Sequence, residues 1–312
     1  MRAVRYRGEE RPAWDNFVRK AKNGLFLFFR DYMDYHADRF EDHSLLFYDE
    51  ADKLCALLPA NRREEALISH GGLTFGGVVS DERMTTAKML EVFAAIADHA
   101  RQEGLHQLVY KAVPHIYHTV PAEEDRYSLF LQNAILLKRE VTSAINLATP
   151  LKLSKGRKCG ISKAKKAGIE IRPSDDYDSF MAIEARLLLE KYGTKPVHST
   201  AELQLLAGRF PGNIKLFGAF CNDELHAGLI IYSGANVAHV QYMATTEAGR
   251  ECGALDLLVQ QVIALYADQV RFFDFGISTE EGGRILNAGL LAQKEMFGAR
   301  AVVHDTYQWD LT

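Results

Sequence analysis

No apolar stretch in this chain of 312 residues approaches the ~20 needed to span a bilayer. One of the most apolar, Leu25–Phe29, is followed at once by Arg30 and Asp31. The opening Met1-Arg-Ala-Val-Arg-Tyr-Arg lacks the apolar core of a signal peptide. Cysteine is scarce: Cys55, Cys159, Cys221 and Cys252 are scattered, with no CxxC pair. That argues against a disulfide framework or a zinc site, and fits free, buried thiols in a reducing cytoplasm. The histidines offer no HxxxH on a helix, so no metal is expected. Neither charge dominates: the net charge is −4 and the pI about 6.3. This excludes a general nucleic-acid or membrane binder and makes any anion site a local patch.

The chain is 47% hydrophobic and 25% charged, an ordinary globular composition, and its length suits two domains. Periodicity gives the C-terminal half the order β-α-α-β-β-β-α-β-α-β. Ile169–Pro173 alternates as a short strand, and 176–192 carries Phe180, Ile183, Leu187 and Leu188 at helical spacing before Gly193. A second helix over 200–210 closes at Pro211-Gly212. Strands over 215–221, 225–232 and 237–243 are joined by hairpin-like turns at Asn222-Asp223 and Ser233-Gly234. A helix over 253–268, a strand over 271–277, a helix over 280–297 and a strand over 301–309 complete the half. Ser278 and Glu281 match a capping box for that last helix. The N-terminal half repeats the layout as α-α-β-β-β-α-β-α-β. Its helices are expected over 12–22, 31–40, 84–102 and 123–132. Its strands fall over 44–48, 53–59, an interrupted 66–77, 107–113 and 134–145. The fold class is therefore α/β (α+β), with domains over 1–150 and 151–312 and a junction in 147–168.

Candidate chemistry concentrates in a few places. Asp274 sits between Phe273 and Phe275 on a strand, so it faces away from both. A carboxylate held there suits a base or a substrate anchor. Lys294 falls in the last turn of a helix, where the dipole favours a cation in any case. From Lys152 to Lys166 there are seven Lys or Arg and no acid. Arg157 and Lys165 can share one face and meet phosphate, or the run can be a solvated face. In the first half the polar cluster includes Arg39, His70, Lys111, His115 and His118. Lys111 and His115 straddle Pro114 just after a strand, and Arg39 with Lys111 could clamp a diphosphate. Tyr242, near the end of the 237–243 strand, joins the substrate-binding candidates.

The doubled layout resembles a GNAT-type acyltransferase fused to a second GNAT-like domain, each a mixed, mostly antiparallel sheet flanked by helices. The run Arg157-Lys-Cys-Gly-Ile-Ser-Lys-Ala-Lys-Lys-Ala-Gly168 looks like the basic helix that opens the second domain of Fem-type transferases. Phe273-Asp-Phe-Gly-Ile and Lys294-Glu-Met-Phe-Gly298 look like their closing strand and helix end. Asp34-Tyr-His-Ala-Asp-Arg-Phe, Ser69-His-Gly-Gly-Leu-Thr-Phe-Gly-Gly and Pro114-His-Ile-Tyr-His-Thr-Val-Pro resemble GNAT relatives found with surface-polysaccharide genes.

The resemblance implies direct transfer of an acyl group to an amine. The expected donor is acyl-CoA, carrying acetyl or a similar group. The expected acceptor is an amino sugar or a sugar-nucleotide-linked cell-envelope precursor. Fem-type members use aminoacyl-tRNA in peptidoglycan synthesis, which leaves tRNA as the alternative donor. A degenerate, non-catalytic scaffold is the third reading; no DNA partner is expected. The family's CoA signature, Gln/Arg-x-x-Gly-x-Gly/Ala, is met here by Arg250 and Gly253, while Leu255 departs from it and could crowd a phosphate. Asp274, Lys294 and His70 are the catalytic candidates, and Arg250, Gly253, Arg157 and Lys165 the cofactor contacts. Domain one is expected to hold the acceptor and domain two the donor, with the site in the cleft between them.

Overall fold

The computed structural model describes residues 1–311, the side chain of Tyr192 excepted. The chain divides into two units: Met1–Glu140, Glu281–Arg284 and residue 303 onward form the first, and Val141–Glu280 with Ile285–Val302 the second.

The first unit begins with β1 (Arg2–Arg5), α1 (Arg11–Lys20), α2 (Arg30–Met33) and β2 (Glu41–Asp42). There follow β3 (Leu45–Tyr48), β4 (Leu54–Leu58), β5 (Asn61–Arg63), β6 (Ala66–Ile68) and β7 (Val79–Ser80). Strands β1-β3-β4-β7 form one antiparallel sheet. Helix α3 (Thr86–Glu103) then carries the chain to β8 (Gln107–Lys111), which lies parallel to β6. Two parallel neighbours need such a crossover. Met89, Val92, Phe93 and Ile96, three or four apart, bury one face of α3. Thr85 caps its start by accepting from the Lys88 amide, and left-handed Gly104 ends it. Helix α4 (Glu124–Leu131) precedes β9 (Ile135–Asn146), whose second half belongs to the next unit.

The second unit continues with α5 (Lys155–Lys166), β10 (Glu170–Ser174), α6 (Tyr177–Tyr192), α7 (Thr200–Arg209), β11 (Ile214–Cys221), β12 (Glu224–Ser233) and β13 (Val237–Thr245). Two helices, α8 (Glu247–Cys252) and α9 (Ala254–Tyr266), cross over to β14 (Phe272–Ile277). Strands β10 to β13 are antiparallel neighbours, β13 and β14 are parallel, and β14 pairs antiparallel with β9. One sheet face is apolar: Ala227, Leu229, Ala238, Val240, Phe273 and Phe275 pack with Leu257, Leu258 and Val262 of α9 and Ile161 of α5. The Asn222-Asp223 turn has both residues at positive φ, as a tight hairpin of right-handed twist requires. The same arrangement, antiparallel strands and then a helical crossover into a parallel neighbour, thus occurs in each unit.

Two expectations are corrected. The helix expected over 280–297 starts only at Ala288. Thr279–Glu280 (β15) and Ile285–Leu286 (β16) pair as a small hairpin, followed by α10 (Ala288–Glu295). Gly282 and Gly283 adopt φ of 64° and 90°, which no helix permits. The capping box is therefore absent, and Asn287 caps α10 by accepting from the Leu290 amide at 3.0 Å. Likewise the second part of the interrupted strand, Leu73–Gly77, is loop. The last strand, β17 (Arg300–Asp310), ends with Trp309 stacked on Phe93 in the core of the first unit.

Candidate functional site

Strands β13 and β14 are paired over three positions only: Val237 with Phe272, Ala238 with Phe273, and His239 with Asp274. Beyond that point β13 runs on to Thr245 and β14 to Ile277 with no further pairing between them. Both strands are irregular there. A register shift in the β12–β13 ladder leaves Gln241 unpaired, and Gly276 of β14 is left-handed at φ 75°. Bulges and left-handed glycines bend a strand and raise its local twist, so the two neighbours part.

Asp274 stands at the last paired position and is fully buried, facing away from the core that holds Phe273 and Phe275. Its carboxylate accepts from the Thr142 hydroxyl, from the Gly276 amide at 3.2 Å, and from Nδ1 of His239 at 2.7 Å. His239 was not among the residues singled out in the sequence. In a parallel pair, directly opposed residues share a face, so β13 and β14 bring this imidazole to that carboxylate. The side chain of His239 is 15% exposed.

Lys294, on α10, is 3% exposed. Its ammonium donates to the carbonyls of Gly276 at 2.8 Å and Ile277 at 2.7 Å, and to the Ser278 hydroxyl at 2.8 Å. All three N–H groups are thereby used to fasten the end of β14. Burial lowers its pKa from 10.5 to about 8, against the opposing pull of the Asp274 carboxylate. Asp274 and Lys294 thus grip the same turn from two sides.

A cavity of about 660 Å³ opens beside the unpaired end of β13, where Met243 and Thr245 line it. Helix α6 contributes Glu184, Leu187, Leu188 and Lys191, and α10 contributes Leu290, Gln293 and Met296. The start of α9 and the helix before it contribute Arg250, Gly253, Leu255 and Asp256, and α5 contributes Arg157. The first amides of a helix have no acceptor within it and carry the positive end of its dipole, which suits phosphate. Arg250 is exposed at the rim. Leu255 is 9% exposed and packs in the unit's core as well as lining the cavity.

Arg157 is already engaged: it pairs with Asp256, donates to the Gln293 carbonyl at 3.1 Å and lies over the Phe297 ring at 4.4 Å. It ties α5 to α9 and α10. Lys165 is exposed on α5 and does not line the cavity. Gly253 has φ 78°, and a Cβ there would meet the Gly160 carbonyl oxygen at 2.4 Å. Its smallness therefore serves helix packing. Gly253→Ala should destabilise the protein by about 2–4 kcal/mol through strain and clash, seen as a lower urea midpoint with an unchanged m-value.

The remaining candidates are spread through the structure. Tyr242 is buried, its hydroxyl 2.8 Å from Nδ1 of His198. In the first unit, His70 is buried at φ 50° between the rings of His36 and Phe40, and burial lowers its pKa to about 3. Lys111 donates to the Leu73 carbonyl, and burial brings its pKa to about 8. His118 is buried beside the Val113 carbonyl, with its pKa lowered by burial to about 4, and His115 is exposed. Arg39 is 43% exposed and pairs loosely with Asp38 at 3.9 Å. Among the described residues no group of three His, Cys, Asp or Glu could hold a metal ion, and no helix is long and apolar enough to cross a membrane.

The second unit thus holds an acid–imidazole pair where two parallel strands part, and a cavity beside the free end of β13 that Asp274 and His239 do not themselves line. Residues 158–281 match the family model described as an acetyltransferase (GNAT) domain. Those residues thus match a GNAT-type domain, and the chain as a whole has a Fem-like fold of two GNAT-like units. Among solved structures, the chain is similar to FemX, at 10% identity and TM-score 0.69 over 99% of this chain and 97% of that one. It is also similar to the C-terminal domain of a putative lysylphosphatidylglycerol synthetase from Agrobacterium fabrum, at 11% identity and TM-score 0.62 over 96% and 91%. A tandem GNAT protein from the clavulanic acid biosynthesis pathway aligns at 10% identity and TM-score 0.53 over 99% and 98%. No curated protein matches the chain.

Proposed function

We propose that the second unit transfers an acyl group from acyl-CoA to the primary amine of an amino sugar or a sugar-linked cell-envelope precursor, with His239 as the proton acceptor. The observation that carries this reading is the 2.7 Å bond between Asp274 and His239 at the parting of two parallel strands. Asp274 fixes the ring through Nδ1, so a proton is taken at Nε2, and the buried carboxylate stabilises the imidazolium that forms.

The steps follow from that arrangement. His239 takes a proton from the acceptor's ammonium. The freed amine attacks the thioester carbonyl, forming the C–N bond and placing negative charge on oxygen. Alternate N–H groups of β13 past His239 face the side that β14 has left, and can donate to that oxygen. Collapse breaks the C–S bond; the leaving thiolate takes up the second proton of the attacking nitrogen, and the proton held by His239 passes to solvent. Arg250, Lys191 and the start of α9 hold the donor's phosphates, and the apolar wall from Leu187 to Met296 holds its stem. Lys294 acts as a positioning residue, because all its N–H groups already hold the β14 turn. The acceptor reading rests on the sequence resemblance, which also gives the first unit the role of acceptor binding and the protein a cytoplasmic place.

A second reading, transfer from aminoacyl-tRNA, is favoured by the FemX likeness over nearly the whole chain. The deciding experiment incubates the protein with glucosamine-type acceptors and either acetyl-CoA or charged tRNA, and follows acylated product by mass spectrometry. Product with acetyl-CoA supports the first reading. Product with charged tRNA alone replaces it with the second, and product with neither donor overturns both.

A further inference from the structure

The cavity contains one feature that neither reading uses. Glu184, in the middle of α6, is 8% exposed and lines the wall. Its carboxylate forms no hydrogen bond or ion pair with any described residue. One turn earlier on the same helix, Phe180 packs on Gly228 of the sheet, and the small part of Glu184 that stays exposed lies at the cavity it lines. The other charged groups lining the cavity are committed or peripheral. Arg157 on α5 and Asp256 on α9 pair with each other, Arg250 on α8 is exposed, and Lys191, two turns further along α6, is exposed and forms no ion pair with Glu184. No charged side chain of α10 lines the cavity. A nearly buried carboxylate without a partner is costly to ionise, and a ligand in the cavity can supply that partner.

Resting on the reading that this cavity holds substrate, we propose that Glu184 is the counter-ion for a primary ammonium carried on an apolar stem. Leu187, Leu188, Met243 and Leu290 supply the apolar wall for the stem, and Glu184 the charged end. The ammonium comes either from the transferred acyl group or from the acceptor. Burial raises the Glu184 carboxyl to about 7, against the opposing pull of Lys191, so it is largely ionised at pH 8.

The test measures binding of hexylammonium and of 1-hexanol at pH 8 by ligand-observed NMR, to the full chain and to its Glu184→Gln and Glu184→Met variants. Hexylammonium should bind the wild type, and each variant should weaken it at least about tenfold, or about 1.4 kcal/mol, with 1-hexanol little changed. Glycyl-CoA against acetyl-CoA, and glucosamine against N-acetylglucosamine, then show which substrate carries the amine, because only that one loses affinity in Glu184→Gln. Absence of hexylammonium binding to the wild type, or equal binding to Glu184→Gln, overturns the proposal. Acetyl-CoA binding to the wild type is scored separately: its failure removes the acyl-CoA reading and leaves the ammonium result standing by itself. Two substitutions, one isosteric and one apolar, guard against a folding artefact in either.

Discussion

Asp274→Asn should lower the transfer rate by roughly 10²–10⁴-fold while leaving the protein folded. The amide keeps an oxygen for the Thr142 hydroxyl and the Gly276 amide, so the local bonds of β14 survive. What changes is the partner of His239. A carboxylate accepts the Nδ1 proton and stabilises the ring once it is charged. The Asn NH₂ can only donate, so Nδ1 must become the acceptor, and the remaining proton moves to Nε2, where the base is needed. The loss should therefore fall on kcat, with the donor's Kd nearly unchanged. His239→Gln should show the same pattern. If Asp274→Asn unfolds the second unit, or leaves the rate within a few-fold of wild type, the carboxylate has a structural role only.

Lys294→Met should do the opposite, costing stability first. It removes an ammonium that satisfies two buried carbonyls and a buried hydroxyl, and puts nothing polar in its place. Loss of buried partners on this scale amounts to about 2–4 kcal/mol, or a fall in Tm of roughly 5–15 °C. Activity should fall alongside, because the Gly276 turn also anchors Asp274. The pH dependence gives a second signature. The native pKa, about 8, lies below the unfolded value near 10.4, so between those values the unfolded chain binds more protons. Stability then rises with pH across that window in the wild type, and below pH 8 this group contributes no slope. The variant should lose the rise. A variant with unchanged Tm and a rate reduced a hundredfold would instead make Lys294 a group that meets the substrate.

The reach of the sequence can be judged from these same residues. Alternation around Phe273 and Phe275 told correctly that Asp274 faces the other side of the sheet. The element order told where the crossover helices lie. His239 was not visible, because Val-Ala-His-Val-Gln-Tyr carries no pattern that separates a ring in a dyad from one in a core. The signal that could have found it is topological: once β13 and β14 are taken as parallel neighbours, His239 is the polar residue that can stand opposite Asp274. The role of Lys294 was obscured by a sound local rule, since a cation at a helix end is favoured whether or not it reaches anything. Its three acceptors lie 16 to 18 residues earlier, beyond any local pattern. The false capping box arose in the same way: Ser278 and Glu281 have the right spacing, but Gly282-Gly283 turns the chain, and Ser278 serves Lys294 instead. Glu184 escaped because a lone acid in an amphipathic helix looks solvated until its neighbours are known.

The account depends on the parted strands of the second unit receiving an acyl donor. Calorimetric titration of acetyl-CoA into the wild type and into Arg250→Ala tests this most directly. The account predicts one saturable site, a Tm that climbs with ligand concentration, and about tenfold weaker binding in the variant, whose affinity also rises less at low salt than that of the wild type. No heat and no shift in Tm at millimolar acetyl-CoA would contradict it.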